Sequence, residues 1–281
     1  MKKISLLAAA LVAVVMSAKA EVEFAYEAGA EIVSAYIWRG QYNGGLSFQP
    51  DLEVGYDGEH TSLRIGAWGN IGASDWKFRK DKGDGSGYTM FMPELDIIGS
   101  FSFYGASVGF NHYFYFGGSN FLSWKKVAEL DDSDNTSTTE VWVGYNFGDQ
   151  LGVGAYINWY TTVAGADLVY DDLGIAKRTW SSYLELSYDY TFEDYGITLG
   201  AQLGMSPWKS EIYGNDKFAV TNISIKINKE WEVGPCTIDL FAQGSLNPDG
   251  VNKHNAIINK AGDEKLYQQK LNGVIGLGFW F

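Results

Sequence analysis

Six stretches of this chain alternate residue by residue between two kinds of side chain, and a strict period of two leaves few folds open. In the last stretch Leu271, Gly273, Ile275, Leu277, Phe279 and Phe281 share one face, with Asn272, Val274, Gly276, Gly278 and Trp280 on the other. Phe48, Leu52, Val54 and Tyr56 oppose Gln49, Asp51 and Glu53, and Leu95, Ile97 and Phe101 oppose Glu94, Asp96 and Ser100. Val141, Val143, Tyr145 and Phe147 oppose Glu140, Trp142, Gly144 and Asn146. Leu184, Leu186, Tyr188 and Tyr190 oppose Tyr183, Glu185, Ser187 and Asp189, and Thr221, Ile223, Ile225 and Ile227 oppose Asn222, Ser224, Lys226 and Asn228. Such segments are strands of either a soluble antiparallel sandwich or a membrane barrel turned apolar-out and polar-in.

Punctuation separates the two. Short turn signals fall at Asp57-Gly58, Tyr104-Gly105, Gly148-Asp149, Glu193-Asp194 and Gly234-Pro235. Between them lie longer polar stretches: 41–46, 72–92, 118–137, 163–178, 209–217 and 247–268. Tight turns on one rim and long loops on the other are the habit of outer-membrane barrels. The segments so bounded predict an all-β fold, a transmembrane antiparallel up-and-down β-barrel of about 12 strands, each long enough for the ~9–11 residues that a tilted membrane strand needs.

The first twenty residues read as a secretory signal peptide: basic Met1-Lys2-Lys3, an apolar run from Ile4 to Met16, and small residues ending in Ala18-Lys19-Ala20. This divides the chain into a leader, 1–20, and a barrel, 21–281. Beyond the leader no run approaches the ~20 apolar residues of a membrane helix. The formal charge is −13, and without Lys2, Lys3 and Lys19 there remain 18 bases against 34 acids, a net −16. That surface repels nucleic-acid phosphate, so no nucleic-acid partner is expected. Cys236 is the only cysteine and the three histidines are scattered, which predicts no disulfide, no metal centre and no cofactor.

Aromatic residues gather near the ends of the expected strands: Tyr36, Trp38, Tyr113, Tyr115, Trp159, Tyr160, Trp180, Tyr188, Tyr190, Trp208 and Trp280. They are expected to form girdles at the lipid boundary. A closing strand that ends in the aromatic Phe281 is the address read by barrel-assembly machinery, which is therefore an expected partner beside outer-membrane lipid.

Ser34-Ala35-Tyr36-Ile37-Trp38-Arg39-Gly40 resembles the S-x-Y-x-x-R-G opening of the TorF-type porins. Pro50, Ala67-Trp68-Gly69-Asn70, Glu94-Leu95-Asp96, Tyr113-Phe114-Tyr115 and Glu140-Val141-Trp142-Val143-Gly144 follow in order. The resemblance covers roughly residues 30 to 147 and implies an outer-membrane channel. It supplies no ligand-binding set, and Pro207-Trp208-Lys209-Ser210 has no place in it.

With apolar positions toward lipid, Arg39, Asp51, Glu53, Arg64, Glu94, Asp96, Glu140, Glu185, Asp189, Lys226, Asp239 and Lys270 are expected to line the lumen. An acid-rich lining favours cations or neutral polar solutes. The competing use of the four bases is to pair with neighbouring carboxylates and fill the interior, since barrels of eight strands are packed solid while those of 16 to 18 are open. Arg39 and Arg64 form either a basic ladder opposing Asp51, Glu53, Glu94 and Asp96 or a static salt-bridge network. Inward Trp68, Trp142, Tyr156 and Tyr183 are candidates for stacking on a ring-bearing solute or for void filling.

A lipid hydrolase requires a serine beside an outward histidine. His112 faces outward with Ser119 near it in sequence, but His112 reads better as a boundary residue, and neither His60 nor His254 has a triad around it. The acidic stretch from Ala128 to Glu140, with Glu129, Asp131, Asp132 and Asp134, lacks the spacing of a calcium loop and reads as a solvated external loop. The sequence thus predicts no enzyme but a porin-like channel for passive diffusion of small polar or cationic solutes, with a structural or partner-binding barrel as the alternative and a lipid hydrolase behind it.

Overall fold

Period-two stretches rich in Val, Ile, Tyr and Phe give long strands, because branched and aromatic side chains pack on a pleated surface. The computed structural model describes residues 23–73, 94–115, 137–148, 154–165, 167–170, 176–249, 256–258, 264–266 and 270–281. The expected leader 1–20 lies outside them, as do Ser119, His254, Glu129, Asp131, Asp132 and Asp134. The strands are β1 (Glu23–Val33), β2 (Tyr36–Trp38), β3 (Gln41–Gly44), β4 (Ser47–Asp57), β5 (Thr61–Gly72), β6 (Glu94–Phe103), β7 (Ala106–Tyr115), β8 (Ser137–Asn146) and β9 (Gly154–Ala164). There follow β10 (Leu168–Tyr170), β11 (Ala176–Arg178), β12 (Ser182–Phe192), β13 (Ile197–Ser206), β14 (Ala219–Val233), β15 (Cys236–Leu246), β16 (Ala256–Ile258), β17 (Glu264–Leu266) and β18 (Leu271–Trp280).

Twelve of these close an antiparallel barrel in the order β1-β18-β15-β14-β13-β12-β9-β8-β7-β6-β5-β4. Each neighbours the next long strand in sequence, so the topology is up-and-down, and β1 closes on β18 with Gly29 opposite Trp280. Closure removes the unpaired edge that an open sheet presents. The three remaining pairs, β2-β3, β10-β11 and β16-β17, are two-stranded antiparallel sheets within the long connections.

The turn signals Asp57-Gly58, Tyr104-Gly105, Glu193-Asp194 and Gly234-Pro235, together with Gly148, fall where consecutive barrel strands meet on one rim, and the long connections join the strands at the other, while Asp149 lies outside the described residues. The expected faces hold as well. Phe24, Tyr26, Leu52, Ile65, Val143, Leu186, Ile225, Ile227, Leu240 and Ile275 point outward and are exposed, forming an apolar belt. Glu94, Glu140, Asn222, Ser224, Asp239 and Asn272 are buried on the inward face.

The girdle expectation needs correction. Trp159, Trp180 and Trp208 do gather at the long-loop rim, with Trp159 and Trp208 rings 5.6 Å apart and the Trp208 indole N–H donating to the Trp180 carbonyl at 3.0 Å. Tyr188 and Tyr190 are outward and exposed. Tyr36, Trp38, Tyr113, Tyr115, Tyr160 and Trp280 instead face the interior. Nearness to a strand end does not distinguish a lipid-facing ring from one that fills the lumen, whereas strand parity does: Tyr113 and Tyr115 share the face of Asn111, and His112 and Phe114 the other.

Candidate functional site

The first long connection does not stay at the rim. Its hairpin β2-β3 folds into the barrel, turning at Arg39 and Gly40, which adopt φ of 49° and 80°. Gly40 suits this position twice over: it takes a left-handed conformation, and a β-carbon there would collide with the Thr221 carbonyl. The root packs on the wall, with Ala35, Ile37 and Tyr42 against Val33, Phe241 and Val274.

At the tip the Arg39 guanidinium forms a two-pronged pair with Glu140 on β8, Nη1 to Oε1 at 2.8 Å and Nη2 to Oε2 at 3.0 Å. Nη1 also donates to the Tyr213 hydroxyl at 2.5 Å, and the Tyr113 hydroxyl donates to Glu140 Oε2 at 2.7 Å. Three aromatic faces surround the same group, with Trp38, Tyr160 and Tyr183 ring centres 4.6, 4.1 and 4.6 Å from the Arg39 Cζ. Tyr213 stacks between Trp38 and Tyr183 at 5.9 and 5.3 Å. Paired charge, filled hydrogen bonds and π-faces are what allow an arginine to be buried. Burial opposes its charge, but Glu140, Tyr213 and Tyr113 outweigh it and hold Arg39 above the ordinary arginine range.

Behind the tip, the Gly40 carbonyl accepts from Asn272 on β18 at 3.1 Å and from Asn247 at 3.4 Å. β18 and β8 stand six places apart in the ring of twelve, on opposite walls. The hairpin therefore crosses the lumen from wall to wall. Tyr213 reaches it from the connection between β13 and β14, which holds the segment Pro207-Trp208-Lys209-Ser210. That connection is anchored by Ser210 Oγ, which donates to Ser181 Oγ at 2.8 Å and accepts from the Tyr213 N–H at 3.0 Å. Ser181 in turn donates to the fully buried Asp167, from its N–H at 3.2 Å and its hydroxyl at 2.5 Å.

The expected lumen residues divide into two groups. Toward the long-loop rim, Glu94 accepts from Tyr36 and Tyr115, Asp96 lies between the cross-strand neighbours Trp68 and Tyr113, and Glu185 accepts from Gln202 and Asn158. Toward the short-turn rim, Arg64 pairs with Asp57 at 2.5 Å and Glu53 at 3.1 Å. Asp51, Asp189, Asp239 and Lys226 share that inward face, with Lys226 Nζ 4.2 Å from the Phe241 ring centre. Lys270 is exposed at the rim, just before β18. Trp142 and Tyr156 are inward as expected, opposite Tyr160 and Asn146.

The basic ladder does not form. Arg39 sits on the crossing hairpin rather than on a barrel strand, and it and Arg64 bind different carboxylates. Both arginines are paired, as in the network alternative. Glu27 and Glu31 were missed: the register sets them inward across from Glu53 and Gln49. Their signal is in Glu23-Phe24-Ala25-Tyr26-Glu27-Ala28-Gly29-Ala30-Glu31, where acids recur at every fourth position on one strand face.

The Arg64 pairs are partly exposed, so Arg64→Ala is expected to cost no more than about 1 kcal/mol in denaturant unfolding. His112 stands on the outward face of β7 but is buried there, with its Nδ1 2.8 Å from Thr139 Oγ1. His60 stacks on Tyr104 at 4.2 Å in a turn. Among the described residues no His, Cys, Asp and Glu group is arranged to hold a metal ion.

No protein-family model matches the chain, and no curated protein sequence matches it. Solved structures of similar shape include an outer membrane channel from Pseudomonas putida F1, at 12% identity and TM-score 0.43, covering 93% of this chain and 94% of that one. Another is OmpF of Salmonella typhi, at 10% identity and TM-score 0.39, covering 93% and 98%. A Pseudomonas aeruginosa FadL homologue gives 10% identity and TM-score 0.32, covering 94% and 90%.

Proposed function

We propose that this protein is an outer-membrane channel through which small polar or cationic solutes diffuse passively, past a constriction made by the β2-β3 hairpin. The observation that carries this reading is the pairing of two opposite faces on one closed wall. The outward face is apolar and exposed, which suits lipid, while the inward face holds Glu27, Glu31, Asp51, Glu53, Asp189 and Asp239 against the strand bases Arg64 and Lys226. Such a lumen raises the local concentration of cations and repels anions, as rings of carboxylates do in selective pores. In this orientation the tight turns face the periplasm and the long connections face outside.

The test is conductance of the refolded mature chain in planar bilayers under a salt gradient. Discrete openings with a reversal potential on the cation side are expected, and they are infrequent because the hairpin crosses the lumen. Anion-selective openings would sink the charge argument. A silent barrel that still shifts on heating in gels would sink the channel reading. It would favour a structural or partner-binding barrel, the reading for which the wall-to-wall hairpin speaks. A lipid hydrolase is not part of this proposal; phospholipid hydrolysis lost on His112→Ala would reinstate it.

A further inference from the structure

The constriction holds one chemical group with unusual completeness, and that group is a guanidinium. Glu140 meets it with both oxygens at 2.8 and 3.0 Å, and flat rings cover it at 4.1 to 4.6 Å. A planar fork matched to a carboxylate and stacked on aromatic faces is guanidinium recognition; an ammonium cannot reproduce the two parallel hydrogen bonds. The parts of this cage have different origins. Trp38 and Tyr213 belong to the connections that fold inward, but Glu140, Tyr113, Tyr160 and Tyr183 belong to barrel strands and stay in place if the hairpin withdraws.

A second carboxylate lies beside the first. Asp96 on β6 is 6% exposed, and among the described residues its Oδ1 has no hydrogen-bond partner. Its cross-strand neighbours are Trp68 and Tyr113, the same Tyr113 that donates to Glu140. A buried carboxylate oxygen without a donor is costly to maintain, and among the described residues this station lacks the positive partner that the first one has.

We propose that the wall formed by Glu140, Tyr160 and Tyr183 is a recognition site for guanidinium-bearing solutes, that Arg39 is its intramolecular occupant, and that Asp96 is the next carboxylate such a cation meets. Solute and Arg39 compete for Glu140, so binding of one releases the other and with it the hairpin tip. As a transport step this rests on the channel reading; as a binding site it does not.

The test uses the mature full-length chain refolded in detergent, with methylguanidinium chloride as probe at low millimolar concentration and methylammonium chloride and NaCl at equal ionic strength as controls. Arg39→Ala empties the cage. Methylguanidinium is expected to raise the heat-modification midpoint of this variant by about 2–4 °C. The controls should leave it unchanged, and the effect should vanish in the Arg39→Ala/Glu140→Gln double variant. In the wild-type protein the same probe is expected to speed hydrogen exchange at residues 36–44. Equal responses to methylammonium, or no response in a folded Arg39→Ala variant, overturn the site. If Arg39→Ala does not fold, wild-type exchange decides alone, and unchanged exchange overturns the proposal. Rescue of the variant without faster wild-type exchange overturns Arg39 as a displaceable occupant. Rescue beside a silent bilayer removes the channel reading and keeps the site, whereas conductance without rescue does the reverse.

Discussion

Glu140→Ala is expected to lower the unfolding free energy by about 3–5 kcal/mol, because it strands a buried guanidinium without its carboxylate. Both partners are dry, with side-chain exposures of 8% for Arg39 and 2% for Glu140. The variant also removes the acceptor of the Tyr113 hydroxyl, a second unsatisfied group in the same place. The chain has one escape from this cost. Arg39 sits on a hairpin that joins the barrel wall through its root and through the Gly40 carbonyl, so the tip can swing out and return the charge to water. The loss in denaturant midpoint is then capped at the docking free energy of the hairpin, and the difference appears as more frequent openings in bilayers. Glu140→Gln keeps the size and one acceptor and should fall between. A variant with less than about 1 kcal/mol of destabilisation and wild-type conductance would mean that Arg39 already reaches water, at odds with a hairpin that crosses the lumen.

The barrel was more legible than its contents, for a physical reason. Strand faces and turn positions are encoded locally: Leu186 and Ser187 differ because they are neighbours on a pleated strand, and Gly234-Pro235 turns the chain without help from afar. The constriction is encoded by partners far apart. Arg39 and Glu140 are separated by 101 positions and Arg39 and Tyr213 by 174, and no spacing rule joins them. Arg39 lies on a hairpin that local pattern does not distinguish from the rim. Tyr213 follows the Pro207-Trp208-Lys209-Ser210 segment that carried no assignment, and nothing near it signals that its ring stacks on Tyr183. Glu27 and Glu31 were within reach of the same parity argument used elsewhere. The signal is faint because β1 places Ala28 and Ala30 at outward positions, where larger apolar side chains mark the other strands.

Leu186→Arg and Ser187→Arg put the same side chain one residue apart at the centre of β12, on opposite faces of the wall, and their outcomes are expected to diverge sharply. Leu186 points outward between Ile157 and Leu203 on the neighbouring strands. An arginine there faces hydrocarbon and should cost about 2–4 kcal/mol at the bilayer midplane. Ser187 points inward, with Glu185 and Asp189 on either side of it along the same face, and Tyr156 and Gln202 across from it. An arginine at Ser187 enters an acidic lumen and finds carboxylates, so its cost should stay near zero and its effect should be on ion preference, moving the reversal potential toward anions. The measurement is folding into lipid vesicles, read by the heat-dependent gel shift across a denaturant series. Because the period of a strand is two, the comparison is insensitive to how much barrel stability there is overall: only the face changes between the two variants. Equal penalties would mean that the outward belt does not meet lipid. The channel reading would then lose its premise, and an apolar outer wall would have to be covered by protein instead.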